Sequence, residues 1–461
     1  MPGALLTDLY ELNMAASYLR RDMVAPATFS LFVRQLPTSR GFLVAAGIND
    51  CLSWLEQFSF EPADLNYLAS QGFDYDTLDA FAGLGFTGDV EAVEEGRIVF
   101  ANEPILEVTA PIAEAQLLET YLLNQVTLQT TLATKAARCR IAAADKIDLV
   151  DFGFRRTQGI EAGLAAARLS AMVGFSATSN MEAARRYRLR PAGTMAHSYI
   201  EAFPDELEAF TAFAQDLPAR TTFLVDTYDT LEGVRHAIEV IRRLGLEHGS
   251  GVRLDSGDLA QLAFEARRLL DQVGLTEVRI FASGGLDEHD LARFVAQGAP
   301  IDAAGVGTRM GVSADAPYLD SAYKLVAYNN RPVSKLSTAK ATRPGPKQVF
   351  RTAGLTDWIG LRDEPAPAGA EKLLQPAMRE GLRIRLTEPL AAARARFRAD
   401  LDQLPASARD LDHPCPPVAR ITPALQTLTA KVHAATRGRQ HRASPPGRYP
   451  SRMSEAQLAT P

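Results

Sequence analysis

The residues with chemical potential in this chain collect where short apolar runs give way to polar corners. In ASGGLDE (282–288) and AGVGTRMG (304–311), glycines directly follow such runs. Bare backbone there lets N–H groups close on an anion, and a helix starting just beyond adds a favourable dipole, so the two loops read together as a phosphate cradle. The ordinary alternative is a pair of tight turns. Neither a G-x-G-x-x-G nor a G-x-x-x-x-G-K-[ST] fingerprint follows a strand signal, which removes the dinucleotide-binding and P-loop readings. In DFGFRRTQG (151–159), Arg155 and Arg156 can offer a planar fork to a carboxylate or phosphate, and Phe152 or Phe154 a flat face to a ring. VRLDSGD (252–258) sets Arg253 for an anionic ring substituent, with Asp255 for ribose hydroxyls or Mg2+ and Asp258 as a helix cap. His197, in GTMAHS (193–198), is the one histidine at a predicted strand end. Such a histidine is more often structural than chemical, but Thr194 and Ser198 beside it can bond phosphate oxygens.

These corners need a scaffold that brings strand ends together. KIDLVDF, TTFLVDT, GVRLDS, VRIFAS and IDAAGVG read as short strands, with GFSATSN and AGTMAHSYI as weaker ones. Helical spacing fills the stretches between them, and Asp258 and Asp287 stand at expected N-caps. Strand-end markers at Asp151, Thr178, His197, Asp226, Asp255, Ser283 and Gly305 are 27, 19, 29, 29, 28 and 22 residues apart. That spacing predicts seven successive strand–helix units in an α/β fold, a parallel sheet that closes on itself, and one mouth collecting the polar corners. The first 130 residues differ: a helix at LLTDLYELNMAASYL, a strand at PATFSLFVRQLP and a hairpin at EGRIVFANEPILEVTAP with Asn102 and Pro104 near its corner. Strand and helix signals return over 320–430, and the Pro-, Arg- and Ser-rich stretch 431–461 reads as a disordered tail.

The 461 residues are 46% hydrophobic and 23% charged, as in a folded globular protein. A net charge of −6 argues against a nucleic-acid footprint over the whole surface, and no apolar run reaches membrane-spanning length. The opening MPGALLTD lacks the basic, then apolar, pattern of a secretory signal, so the expected location is the cytoplasm. Cys51, Cys139 and Cys415, odd in number and far apart, fit neither a disulfide framework nor a C-x-x-C metal site and read as structural thiols.

The ordered blocks TDLYELNM (7–14), RGFLVAAG (40–47), DFGFRRTQG, ATSN (177–180), GTMAHS, VDTYDT (225–230), VRLDSGD, ASGGLDE and GVGT (305–308) resemble the nicotinate phosphoribosyltransferase family. KLSTAKATRPGPKQVFR (335–351) extends the likeness, with Ala339 where the family pattern has glycine. The resemblance implies an incomplete (β/α) barrel of the type II phosphoribosyltransferase kind. Its barrel would span 131–319, and a second α+β domain would be built from 1–130 and 320–430. It implies the joining of nicotinate to phosphoribosyl pyrophosphate, coupled to ATP hydrolysis, with Mg2+, in NAD salvage. It also implies a homodimer with shared sites. By that likeness Tyr10 of one subunit faces Phe152 of the other across nicotinate, while Thr194 and Arg253 bind its acid group. Ser283, Gly284, Gly285, Gly307 and Thr308 would hold the ribose phosphate, and His197 would accept a phosphoryl group. Asp255 would stabilise a sugar cation, Asp226 and Asp255 are the metal candidates, and Arg155 joins His197 and Asp255 as a catalytic candidate. A nicotinamide-using relative, a quinolinate-using enzyme and a catalytically silent phosphate-binding scaffold are the alternatives. Two carboxylates on quinolinate call for more basic groups than these corners provide.

Overall fold

The computed structural model describes residues 3–336 and 342–443. Six parallel strands form one sheet in the order Ala177–Thr178, Asp148–Asp151, Ala303–Val306, Arg279–Ala282, Gly251–Leu254, Thr222–Leu224. Alternation explains the layers. Phe223, Val252, Leu254, Ile280, Ala282, Ala304 and Val306 are fully buried in the core that also holds the flanking helices. Residues from all six strands, including Val150, Ala177, Thr222, Gly251, Phe281 and Ala303, line one cavity of about 620 Å3. The sheet therefore wraps around a space, as an incomplete α/β barrel. Asp229, Asp258 and Asp287 each accept a backbone N–H at the start of the next helix, so three of the return helices begin with a side-chain cap.

Two expectations about this sheet are corrected. Among the described residues it has six strands rather than seven, and it does not close: the edge strands Ala177–Thr178 and Thr222–Leu224 are unpaired with each other. The segment read as the seventh strand, 192–200, forms no strand; a single bridge, Thr178 to Pro191, stands just before it. Pro191 has no N–H to continue a ladder. His197 is consequently not at a strand end but is the first residue of the short helix His197–Glu201.

A seven-stranded sheet joins both ends of the chain. Pro26–Val33 lies between Ser321–Tyr328 and Pro104–Pro111, and Asp89–Val93 links Pro104–Pro111 to Leu374–Arg379. The expected hairpin is absent. Ile98–Val99 pairs with Leu43–Val44 instead of with Pro104–Pro111, because Asn102 takes a left-handed φ of 66° and its N–H binds the Val33 carbonyl, turning the chain out of register. The helix Glu119–Ala142 carries the chain without a break through residue 130 and packs on both Leu43–Val44 and Ile160–Met172. At the C-terminus, Pro423–Ala443 is helical, so the first part of the supposed tail is ordered; residues 444–461 and Ala339 lie outside the described residues. Cys51 and Cys139 are buried, whereas Cys415 is exposed.

Candidate active site

Arg253 is the centre of the mouth. Its strand turns the side chain inward between neighbouring loops, where Nε donates to Ser283 Oγ at 2.8 Å and Nη1 to Thr194 Oγ1 at 3.2 Å. Nη2 donates to Asp255 Oδ1 at 2.6 Å. The guanidinium lies 5.5 Å from the centroid of the Phe152 ring, which in turn packs against Phe281. Gly305 makes room for that ring, since a Cβ there would sit 2.6 Å from Phe152 Cδ2. An aromatic face, a cation and a hydroxyl thus share one wall.

Asp255 connects this wall to His197. One carboxylate oxygen accepts from both Arg253 and Ser283, and the other stands 3.9 Å from His197 Nε2. Burial alone would raise the Asp255 carboxyl, but the Ser283 hydroxyl, Arg253 and His197 outweigh it and hold the group below the usual carboxylate range. It is therefore an anion at neutral pH. His197 Nδ1 is 3.2 Å from Thr227 Oγ1, so both ring nitrogens face polar partners while the ring stays partly open to solvent. An imidazole held this way can act as a nucleophile or a proton carrier.

The glycine corners take the backbone shapes their residue type permits. Gly284 has φ +107°, and a Cβ on it would lie 2.0 Å from the Asp255 carbonyl oxygen. Gly285 has φ +70° and faces open space. Gly307 precedes the short helix that begins at Thr308, beside the Phe152 backbone. Asp226 lies one loop over, its Oδ2 accepting from Ser256 at 2.5 Å and its Oδ1 buried with no hydrogen-bond partner among the described residues.

The structure thus groups Phe152, Thr194, His197, Arg253, Asp255 and Ser283, with the two glycine loops alongside. It does not bring in Arg155, which sits exposed on the turn Phe154–Arg156 with no hydrogen bond or ion pair among the described residues. Nor does Tyr10 reach the mouth within one chain. It lies half-exposed on the helix Leu9–Arg20, its hydroxyl beside Glu119 and Glu11. Sequence reading missed Thr227 as the partner of His197, although it stands in the same VDT corner as Asp226. It also missed the role of Asp151. This fully buried carboxylate accepts from Thr178 Oγ1 at 2.7 Å and Gly153 N at 2.8 Å, anchoring the start of the loop that carries Phe152. Burial pushes the Asp151 carboxyl up, and those two hydrogen bonds offset only part of the rise.

Comparison with known proteins agrees along most of the chain. Sequence profiles for the nicotinate phosphoribosyltransferase N-terminal domain and for the nicotinate phosphoribosyltransferase family match residues 5–127 and 147–340. A nicotinate phosphoribosyltransferase of Mycobacterium tuberculosis is 48% identical over 417 residues, covering 89% of both chains. One from Bacillus subtilis is 41% identical over 377 residues, covering 78% of this chain and 76% of the other. The crystal structure of human nicotinic acid phosphoribosyltransferase superposes with a TM-score of 0.83 at 31% identity, covering 92% of this chain and 99% of that one.

Proposed function

The chain belongs to the nicotinate phosphoribosyltransferase family, and from that premise we propose that it converts nicotinate, phosphoribosyl pyrophosphate, ATP and water to nicotinate mononucleotide, pyrophosphate, ADP and phosphate in NAD salvage. The single observation that carries the reading is the continuous contact from Phe152 through Arg253 and Asp255 to His197. A pyridine ring laid on Phe152 would direct its carboxylate to Arg253 and Thr194, whose donors already converge there. The glycine loops after Ala282 and Val306 would take the ribose phosphate.

The division of labour follows from the reaction. The pyridine nitrogen already has a free lone pair, so attack on the anomeric carbon as pyrophosphate departs needs no general base. Positive charge develops on the sugar during that displacement, and anionic Asp255 would stabilise it. His197 is then free to take the γ-phosphoryl group of ATP on an imidazole nitrogen, releasing ADP, and to lose it to water as phosphate. The added charge would draw nearby loops together around the substrates.

A magnesium ion fits the acidic side of the mouth. Among the described residues no group of three or more His, Cys, Asp or Glu is arranged to hold a metal alone. Mg2+, however, usually takes one or two carboxylates and completes its shell with water and substrate phosphates. The unpartnered buried oxygen of Asp226 suits that role, with Asp255 as second candidate, and a bound ion would offset charge on the departing pyrophosphate. We further propose a cytoplasmic homodimer in which Tyr10 of each subunit completes the other's pyridine pocket. Among the described residues no helix is long and apolar enough to cross a membrane.

Mass-spectrometric product analysis tests the reading. The enzyme is mixed with phosphoribosyl pyrophosphate, Mg2+ and equal nicotinate and nicotinamide, with and without ATP. Nicotinate mononucleotide should dominate, with ADP formed only when ATP is present. Nicotinamide mononucleotide as the main product would favour the nicotinamide-using alternative, and no nucleotide at all would favour a binding scaffold.

A further inference from the structure

Beneath the two glycine loops lies an ionic cluster, buried except at Asp315, that the chemistry above does not use. Lys135 and Arg138, one turn apart on the helix Glu119–Ala142, are each only 2% exposed. Lys135 Nζ reaches Glu288 Oε2 at 2.5 Å and Asp315 Oδ1 at 2.7 Å. Arg138 Nε donates to the other Glu288 oxygen at 2.9 Å and Nη2 to the Leu411 carbonyl at 2.9 Å. Arg40, from the RGF turn, closes the cluster on Asp315 at 2.5 Å and on Ser313 Oγ at 3.2 Å.

The positions of the two acids give the cluster its meaning. Glu288 is the first residue of the helix that follows Ser283, Gly284 and Gly285, and Asp315 follows the loop that carries Gly307 and Thr308. One ammonium group therefore fastens the far ends of both loops to the same helix. A second link between the loops exists, from Arg309 to Asp287 at 2.9 Å, but Arg309 is about half exposed and such a pair contributes little rigidity. Lys135 and Glu288 are both buried, so breaking that pair leaves an uncompensated charge and has a much larger effect, while Asp315, its side chain 30% exposed, closes the cluster at its open edge.

We propose that Lys135 is a positioning residue for the sugar-phosphate donor, fixing the spacing of the two glycine loops through Glu288 and Asp315. The proposal rests on the phosphoribosyltransferase reading for the identity of the donor, but not for the geometry. It weights the two substrates differently, because Phe152, Thr194 and Arg253 do not touch the cluster themselves and the pyridine wall meets the loops only at its edge, through the bond from Arg253 to Ser283 and the Phe152 backbone beside Gly307.

The test compares wild type with Lys135→Met, Lys135→Arg and Asp315→Asn, each first checked for its melting temperature. KM is measured for phosphoribosyl pyrophosphate and for nicotinate, and ribose 5-phosphate binding is followed by calorimetry. Lys135→Met and Asp315→Asn should raise the donor KM and the ribose 5-phosphate Kd roughly 10- to 100-fold, as misplaced binding groups do, with the nicotinate KM rising much less. Lys135→Arg, which keeps the charge, should recover part of the loss. Equal loss for both substrates, or unchanged donor affinity in folded variants, overturns the proposal. Should Lys135→Met fail to fold, Asp315→Asn decides alone, since Lys135 and Arg138 still neutralise Glu288 there. Absence of transfer by the wild type would instead refute the reaction assignment, and the ribose 5-phosphate titration would still decide the role of Lys135.

Discussion

At Arg253, a single guanidinium serves both halves of the mouth, which changes how its loss should be read. Truncation to alanine would strip Asp255 and Ser283 of a partner as well as the pyridine acid, so both substrates would suffer. Arg253→Lys is the sharper probe: it keeps the charge beside Asp255 but cannot span Ser283, Thr194 and a carboxylate with one planar fork. Loss of a charged hydrogen bond is worth about 1.5–3 kcal/mol, so the nicotinate KM should rise roughly 10- to 150-fold while the donor KM moves much less. Steady-state kinetics with each substrate varied checks this, and a matched rise in both would take Arg253 out of the acid pocket. His197 makes a different prediction. Because the displacement needs no base, His197→Ala should retain transfer without ATP yet lose the stimulation that ATP provides. Turnover compared with and without ATP, alongside ADP release, reads both. Full ATP stimulation in that variant would exclude the phosphohistidine role.

At the level of loops and strands, Gly284 and Gly285 look alike in sequence and differ in structure. Both have positive φ, for which a non-glycine residue loses about 1–2 kcal/mol. Only at Gly284 would the new methyl collide with backbone, at the Asp255 carbonyl. Gly285→Ala should thus lower the melting temperature modestly and raise the donor KM without slowing turnover. Gly284→Ala should push Asp255 out of place, weakening donor binding and slowing turnover. Identical effects of the two variants would mean that φ alone matters. The same contrast shows what could be read without coordinates. The corners DFG, LDSGD, ASGG and GVG announced themselves because β-branched runs stop abruptly at small or charged residues, a local signal. His197 was expected at a strand end and stands instead at the start of a helix, since the strand-like segment 192–200 is preceded by a single bridge at Pro191 and then turns helical. The false hairpin had the same origin: nothing local records that Leu43–Val44 outcompetes Pro104–Pro111 for Ile98–Val99. The cluster around Lys135 was illegible, because its partners Glu288 and Asp315 lie more than a hundred residues away and no periodicity links them.

For the whole molecule, the decisive residue is Tyr10, half-exposed on the helix Leu9–Arg20. Strands from both ends of the chain build the seven-stranded sheet, which sets the N-terminal helix apart from the mouth of its own barrel. Leu6, Leu9 and Tyr10 are 48%, 62% and 46% exposed, an apolar edge that a second subunit would cover. If each pyridine pocket takes Phe152 from one subunit and Tyr10 from the other, two differently damaged chains can repair one another. Tyr10→Ala and Arg253→Ala should each be severely impaired alone. In a mixed dimer made by co-expression, one pocket carries both substitutions and the other carries neither. Random pairing makes half of all dimers mixed, and each mixed dimer has one intact site of two, so activity should recover to about a quarter of wild type. Native mass spectrometry verifies that mixed dimers formed. If they form and activity does not return, Tyr10 serves its own chain or no pocket at all. If Tyr10→Ala is fully active by itself, the aromatic face opposite Phe152 must come from another residue. Recovery of the intermediate activity, by contrast, requires that the sites lie between subunits, because no arrangement confined to one chain can restore a pocket that each variant lacks.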